Sequence, residues 1–126
     1  MQITVMLQRL QAVMSDDVGP LRTRNGLTRA LAGIDEMTKA IGDRPFGGTG
    51  PFDMARLDWF DLRNMLLVAH TVAKAALART ESRGAHQRED FPGMLTEWHV
   101  NQVARLSGQT VQLTSVPAAP IAQAAQ

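Results

Sequence analysis

The sequence contains no cysteine and no tyrosine among its 126 residues, and its aromatic side chains are limited to 4 Phe and 2 Trp. Without cysteine the chain cannot form a disulfide, a thiolate nucleophile, or a zinc or iron–sulfur site with cysteine ligands. A formal net charge of +1 gives no electrostatic reason to expect nucleic acid or an anionic membrane as a partner. These absences argue against disulfide-stabilised, thiol-dependent and nucleic-acid-binding proteins.

Long hydrophobic runs are also absent. The longest apolar run covers residues 65–69, far short of the roughly 20 residues that a membrane-spanning helix needs. Residues 1–15 lack both the basic start and the cleavable apolar block of a signal peptide. The sequence therefore predicts one soluble domain with no direct membrane insertion and a cytoplasmic location.

Apolar residues at three- and four-residue spacings predict three amphipathic helices. These helices cover residues 1–15, 25–41 and 54–80. Thr23 or Asn25 can cap the start of the second helix, and Gly42 suits the position just after its end. The third helix is apolar nearly all round in its middle, which predicts burial between neighbours. Such helices with short links favour an antiparallel three-helix bundle, a mainly α fold.

The sequence changes character after Pro92. Apolar residues alternate on both sides of Ser107-Gly108, from Trp98 to Val116, and this predicts a β-hairpin. The expected organisation has three parts. They are a three-helix bundle over residues 1–92, a C-terminal β-hairpin extension over 93–117, and an Ala/Pro/Gln tail over 118–126.

Two features that suggest ligand sites are better explained structurally. The glycines of residues 47–50 lack the Lys-Ser/Thr of a phosphate-binding loop and follow no strand, so a helix–helix connection is the simpler interpretation. His70, His86 and His99 do not have metal-ligand spacing. We therefore assign no catalytic, cofactor-binding or metal-ligating residue to this chain.

Residues 79–92, here called the polar corner, contain seven ionisable side chains in fourteen positions. One interpretation is a helix end whose cations neutralise the last carbonyl groups. The other is an interdomain clamp, in which Arg83 and Arg88 pair with carboxylates of the corner or of a neighbouring domain. His86 could donate to Glu81 or Asp90. The two interpretations are compatible, and the candidate docking residues are Glu81, Ser82, Arg83, His86, Arg88 and Asp90.

The string Glu81-Ser82-Arg83-Gly84-x-His86-x-Arg88-x-Asp90 resembles the C-terminal helical domain of the succinate dehydrogenase/fumarate reductase flavoproteins. That family includes L-aspartate oxidase, and the likeness covers roughly residues 1–92. The resemblance implies a spectrin-repeat-like three-helix bundle. It also implies that the complete protein is a dicarboxylate oxidoreductase, which transfers hydride to or from FAD.

In that family the FAD-binding and catalytic residues belong to domains upstream of this one. The resemblance therefore implies a chain that is inactive alone and packs against FAD-binding and substrate-capping domains, in the same or a separate chain. Dehydrogenase-like members also dock an iron–sulfur subunit, and partner subunits could hold the complex at the inner face of the membrane. The alternative is a free-standing helical module for protein interaction or oligomerisation.

Overall fold

The computed structural model describes residues 3–48 and 50–120. Its three long helices are α1 (Ile3–Asp17), α2 (Arg24–Ile41) and α3 (Met54–Ala78). Its strands are β1 (Leu21–Arg22), β2 (Gln87–Arg88), β3 (Val100–Ser107) and β4 (Thr110–Pro117), and a short 3₁₀ turn covers Thr96–Trp98. The predicted antiparallel three-helix bundle with a C-terminal hairpin is confirmed. The predicted start of the first helix, Thr49 of the glycine loop, and tail residues 121–126 lie outside the described residues.

Side chains outside the helices fix where α2 and α3 begin and end. The hydroxyl of Thr23 accepts a hydrogen bond from the amide of Gly26 over 3.0 Å, which confirms Thr23 as the cap of α2. Gly42 follows α2 with a φ of 68°, a conformation that glycine adopts without strain. Asp53 caps α3 by accepting from the amide of Ala55 over 3.0 Å. Each cap satisfies helix-end groups that would otherwise lack partners.

The core lies where the three helices face one another. Leu27, Ala30 and Ile34 of α2 are completely buried, and burying a leucine or isoleucine side chain contributes about 1.5–3 kcal/mol. Trp59 of α3 is also buried, and its indole nitrogen donates to the carbonyl of Ile41 over 3.0 Å. This bond gives a partner to a carbonyl at the end of α2 and fixes α3 against it.

One side of α3 departs from the sequence-based prediction. Burial all round its middle was expected, yet Met65, Leu67, Val68 and Val72 are exposed within this chain. The prediction is wrong for this side because α1 and α2 both pack against the opposite side of α3, through residues such as Leu62. The hairpin covers only part of the exposed side. Within the described residues, no helix is both long and apolar enough to cross a membrane.

The hairpin is antiparallel and rests on α3. Ser107 pairs with Thr110 across a two-residue turn, in which Gly108 has a φ of 61°. Val111 of β4 is buried, and its carbonyl accepts a hydrogen bond from the ammonium group of Lys74 on α3. Strand β3 of the hairpin begins at Val100, two residues after the predicted start, because the preceding residues form the 3₁₀ turn.

A second strand pair, which periodicity did not predict, joins the α1–α2 connection to the polar corner. In this parallel pair Leu21 lies opposite Gln87 and Arg22 lies opposite Arg88. Two residues a strand are too few for an apolar alternation to be visible in the sequence. The pair brings the corner against the start of α2.

Candidate functional site

The polar corner is organised around the buried carboxylate of Glu81, whose side chain has no exposed surface. Its Oε2 accepts from Nη1 of Arg79 over 2.7 Å and from Nε of Arg83 over 2.8 Å. Its Oε1 accepts from the amide of Leu95 over 2.9 Å. Glu81 therefore joins the end of α3 to the chain that leads into the hairpin.

The surroundings of Glu81 keep it ionised. Burial alone would raise the pKa of Glu81, but hydrogen bonds from Arg83, the Leu95 amide and Arg79 outweigh burial and lower the pKa to about 2. A buried carboxylate is stable only when it is paired and hydrogen-bonded in this way. The predicted pairing of Arg83 with Glu81 is present inside the domain.

Arg88 forms the second ion pair, and it is almost completely buried. Its Nε and Nη2 donate to the two oxygens of Asp90 over 2.8 and 2.7 Å, the two-pronged geometry that arginine favours. Its Nη1 donates to the carbonyls of Ala76 and Leu77 over 3.1 and 3.0 Å. Arg88 therefore pairs with a carboxylate of the corner and also neutralises the last carbonyls of α3, while its role in an interdomain clamp stays a prediction.

Asp90 extends this pair to the second helix. Its Oδ2 also accepts from the amide of Arg24, the first residue of α2, over 3.2 Å. The hydrogen bonds from Arg88 lower the pKa of Asp90 to about 2, although partial burial opposes the change. A carboxylate at this position favours the start of α2. The corner thus ties the end of α3 to the beginning of α2.

Ser82 and Gly84 shape the backbone of the corner. The buried hydroxyl of Ser82 accepts from the amide of Arg88 over 2.9 Å and lies 2.8 Å from the carbonyl of Phe91, to which it donates. Gly84 has a φ of 57°, and it allows a tight turn closed by backbone hydrogen bonds between Arg83 and His86. This turn leaves Gly84 and Ala85 exposed at the tip of the corner.

His86 makes different contacts from those predicted. Its Nδ1 lies 2.8 Å from Nη1 of Arg22, and its Nε2 lies 3.1 Å from the carbonyl of Arg79, so the expected donation to Glu81 or Asp90 is wrong. The parallel β1–β2 pair is the cause, because it places Arg22 beside the corner. A guanidinium can only donate and a carbonyl can only accept. His86 is therefore the neutral tautomer that carries its proton on Nε2.

The neutral state of His86 agrees with its surroundings. Burial lowers the pKa of His86, and the nearby positive charges of Arg22, Arg88 and Arg79 lower it further, against the opposing effect of the Arg79 carbonyl. A proton added at Nδ1 would face the guanidinium of Arg22. The corner is therefore built for a histidine without charge.

Two residues that the sequence did not single out as site members complete the corner. Arg79 donates to the carbonyls of Trp98 and Val100, each over 2.8 Å, and its guanidinium lies 5.0 Å from the centre of the Trp98 ring. The second is Arg22, the partner of His86. Arg79 could have been found, since it opens the charged stretch. Arg22 could not, because it lies 64 positions from its partner.

The side chains of the corner bond to one another and to backbone groups. The buried side-chain nitrogen and oxygen atoms of residues 3–48 and 50–120 all have hydrogen-bond partners. In that same part of the chain, no three His, Asp or Glu side chains converge in a way that could hold a metal ion. The hydrogen bonds of the corner link α2, α3 and the segment before the hairpin, and the corner presents a polar surface at one end of the bundle.

A family model described as "Fumarate reductase flavoprotein C-term" matches residues 7–122. The chain belongs to this family. It corresponds to the C-terminal domain of flavoproteins of the succinate dehydrogenase/fumarate reductase type, and the family is FAD-dependent. The interpretation as a module with no flavoenzyme connection is therefore wrong.

Curated relatives carry the similarity over most of this chain. An uncharacterised FAD-dependent oxidoreductase of Methanocaldococcus jannaschii is 41% identical over 100 residues, which are 79% of this chain and 18% of the relative. One polypeptide of the CoM/CoB fumarate reductase of Methanothermobacter marburgensis is 40% identical over 89 residues, 71% of this chain and 16% of that protein. L-Aspartate oxidase of Caulobacter vibrioides is 37% identical over 86 residues, 68% of this chain and 13% of that enzyme.

A solved structure shows the same fold in a larger assembly. The Sdh1 complex of Mycobacterium smegmatis in its apo form contains a chain that matches with a TM-score of 0.80 and 35% sequence identity. The match covers 98% of this chain and 22% of that one. The chain spans less than a quarter of the length of each of these relatives.

Proposed function

We propose that this domain packs against the FAD-binding and substrate-capping parts of a dicarboxylate oxidoreductase and stabilises their flavin-loaded state. The domain supplies no catalytic group, and FAD binds to the rest of the protein. The observation that carries this proposal is the polar corner within a domain of this family. Its charges are paired internally, so its outer surface is fixed before any partner arrives.

The six candidate residues divide into two groups in this proposal. Glu81, Ser82 and Arg88 are buried and hold the shape of the corner. Arg83 and Asp90 keep 34% and 31% of their side-chain surface exposed, and we assign to them the direct contact with the neighbouring domain. His86 belongs to neither group, and it holds the corner to the α1–α2 connection by binding Arg22. A partly exposed charge at a domain interface fixes orientation more than it adds affinity.

The test compares the complete flavoprotein with a version that lacks this domain. The expected result is loss of bound FAD and of succinate-dependent dye reduction when the domain is missing, and no activity from the domain alone. FAD content is read from flavin absorbance per protein after gel filtration. Equal FAD content and equal activity with and without the domain would overturn the proposal.

The substrate of the complete protein is a four-carbon dicarboxylate in this proposal. Similarity to a fumarate reductase polypeptide at 40% identity and to an L-aspartate oxidase at 37% supports the class without selecting a member. Dye-coupled oxidation of succinate and oxygen-dependent oxidation of L-aspartate, measured on one preparation, separate the two branches. Activity toward neither substrate would contradict the class.

The similarity to a chain of the Sdh1 complex supports a further partner. We propose an iron–sulfur subunit if the succinate branch applies, with the assembly held at the inner face of the membrane by its partners. Co-purification of a protein with an iron–sulfur absorption spectrum tests this partner. Purification of an active flavoprotein without one would favour the aspartate oxidase branch.

A further inference from the structure

The exposed side of α3 lines an apolar trough that continues onto α1 and onto the hairpin. The trough consists of two adjoining cavities of about 460 and 310 Å³, and Val68 and Val72 line both of them. Leu10 and Met14 of α1 form one wall of the first cavity, and Leu106 lines the second on the hairpin side. The trough therefore runs across three elements of the domain.

The side chains that line the trough are apolar and exposed, as expected for a surface that another part of the protein covers. Val68 is 62% exposed, Leu106 57% and Met65 40%, although all three are large apolar side chains. Among the described residues that line the two cavities, Arg105 alone carries a charge. Contiguous apolar surface of this kind on a folded domain marks an interaction site.

We infer that the trough binds an apolar segment of the flavin-bearing body of the same protein, so that the domain docks through two separate faces. This inference rests on the proposed function. The trough buries apolar surface at the interface, and the polar corner fixes the orientation of the domain on the flavin-bearing body.

The length of the relatives supports this choice of occupant. In the M. jannaschii relative and in the chain of the Sdh1 complex, the matching region is only 18% and 22% of the whole chain. The remaining four-fifths of the polypeptide accompanies the domain permanently. Permanent interfaces are more apolar than transient ones, and the nearly uncharged lining fits that kind of contact. A charged occupant would lose its hydration there with only Arg105 to compensate.

Methionine oxidation by hydroxyl radicals tests which face is covered. Met65 lies in the trough, and Met94, which is 67% exposed, follows the residue whose carbonyl binds the Ser82 amide in the corner. We expect oxidation of Met65 to be several-fold slower in the complete flavoprotein than in this 126-residue chain. Equal oxidation of Met65 in both would overturn the inference.

The two methionines separate the possible failures. If Met94 is protected in the complete flavoprotein and Met65 is not, the proposed function survives and the trough inference fails. If neither is protected, both fail. If Met65 is oxidised slowly in the isolated chain, and more slowly as the concentration of that chain rises, a second copy covers the trough and the inference is overturned. Sedimentation of the isolated chain checks that last outcome, and a monomer is expected.

Matched substitutions give an independent test. Val68 in the trough and Val5 on α1 are both helical valines, with exposures of 62% and 57%. Val68→Glu should speed FAD release from the complete flavoprotein by about tenfold, because a carboxylate would be buried at the interface. Val5→Glu should leave the rate unchanged. Equal rates for the two variants would contradict the inference.

Folding of the variants is checked on the isolated chain. Because Val68 is exposed there, Val68→Glu should unfold at the same temperature as the unmodified chain within a few degrees. The milder Val68→Ser serves as a second variant, with a smaller increase in FAD release expected. If FAD release increases only for variants that also destabilise the isolated chain, the inference that the trough is a docking surface is contradicted.

Discussion

Nη1 of Arg22 lies 2.8 Å from Nδ1 of His86 and joins the α1–α2 connection to the polar corner across 64 positions of sequence. The other ring nitrogen of His86 binds the carbonyl of Arg79, just beyond the end of α3. One imidazole therefore links the α1–α2 connection to the end of α3. Because Arg22 only donates, the link exists only while His86 is neutral.

The stability of the domain should fall in mild acid because of His86. The pKa of His86 is lower in the folded chain than its ordinary value of 6.5, so the unfolded chain binds a proton more readily. The stabilisation is present above that ordinary value and is lost as the pH falls through the folded pKa. Urea unfolding at about pH 7.5 and about pH 5.5 measures the loss.

His86→Gln is the control for this prediction. Glutamine has no charge at either pH, and its amide can still reach the Arg79 carbonyl. The variant should be less stable than the unmodified chain at neutral pH, and its stability should change less between the two conditions. An equal pH dependence in both proteins would show that His86 is not the titrating group.

Arg88 should be among the least replaceable polar residues of the domain. Arg88→Met removes the ion pair to Asp90 and leaves the carbonyls of Ala76 and Leu77 without a donor. Because Asp90 is partly exposed, the cost should lie at the lower end of the range for a broken buried pair, about 3 kcal/mol in the free energy of unfolding. Urea denaturation measures it.

A matched substitution of an exposed arginine separates this effect from loss of positive charge. Arg44→Met, in the α2–α3 connection, should change the free energy of unfolding by less than about 0.5 kcal/mol. Arg88→Lys should fall between the two, because lysine keeps the charge without the two-pronged geometry. If Arg88→Met cost no more than Arg44→Met, the capping role would be disproved.

Glu81→Gln should weaken the link between α3 and the hairpin. The substitution keeps the shape and removes the charge that Arg79 and Arg83 contact, at a cost of about 2–3 kcal/mol near neutral pH. In the unmodified chain the pKa of Glu81 is about 2 against an ordinary value of 4.5, so its stabilisation is present above 4.5 and is lost as the pH falls toward 2.

The measurement is urea unfolding of both proteins from neutral pH downward. The stability difference between the unmodified chain and Glu81→Gln should shrink as Glu81 becomes protonated. Glu89→Gln, at an exposed position of the same corner, should match the unmodified chain at neutral pH. A difference for Glu81→Gln that does not depend on pH would refute the proposed ion pairing.

The sequence predicted the features that depend on neighbours along the chain. Helical periodicity located α1, α2 and α3 to within a few residues, and the pairs Arg83–Glu81 and Arg88–Asp90 each join residues two positions apart. Spacings of this kind are visible in a linear sequence. The family resemblance, confirmed by the comparison, rested on the same local string.

Features that depend on contacts between distant parts of the chain could not be predicted from the sequence. The contact of Arg22 with His86 requires the parallel β1–β2 pair, which is too short to leave a pattern. The exposure of Val68 and Val72 could not be inferred either, because an apolar helix surface looks the same whether this chain or another covers it. The docking role of the corner remains a prediction from the resemblance and from its paired charges.

If the polar corner contacts the flavin-bearing body, bulk added at the tip of the corner should change the rate of FAD release. Ala85 lies exposed at the tip of the corner, and Ala12 lies exposed on α1. Ala85→Arg should leave the isolated domain folded and should speed FAD release from the complete flavoprotein, because the added bulk obstructs docking. Ala12→Arg should not change the rate. Identical release rates for Ala85→Arg, Ala12→Arg and the unmodified flavoprotein would show that the corner does not contact the flavin-bearing body.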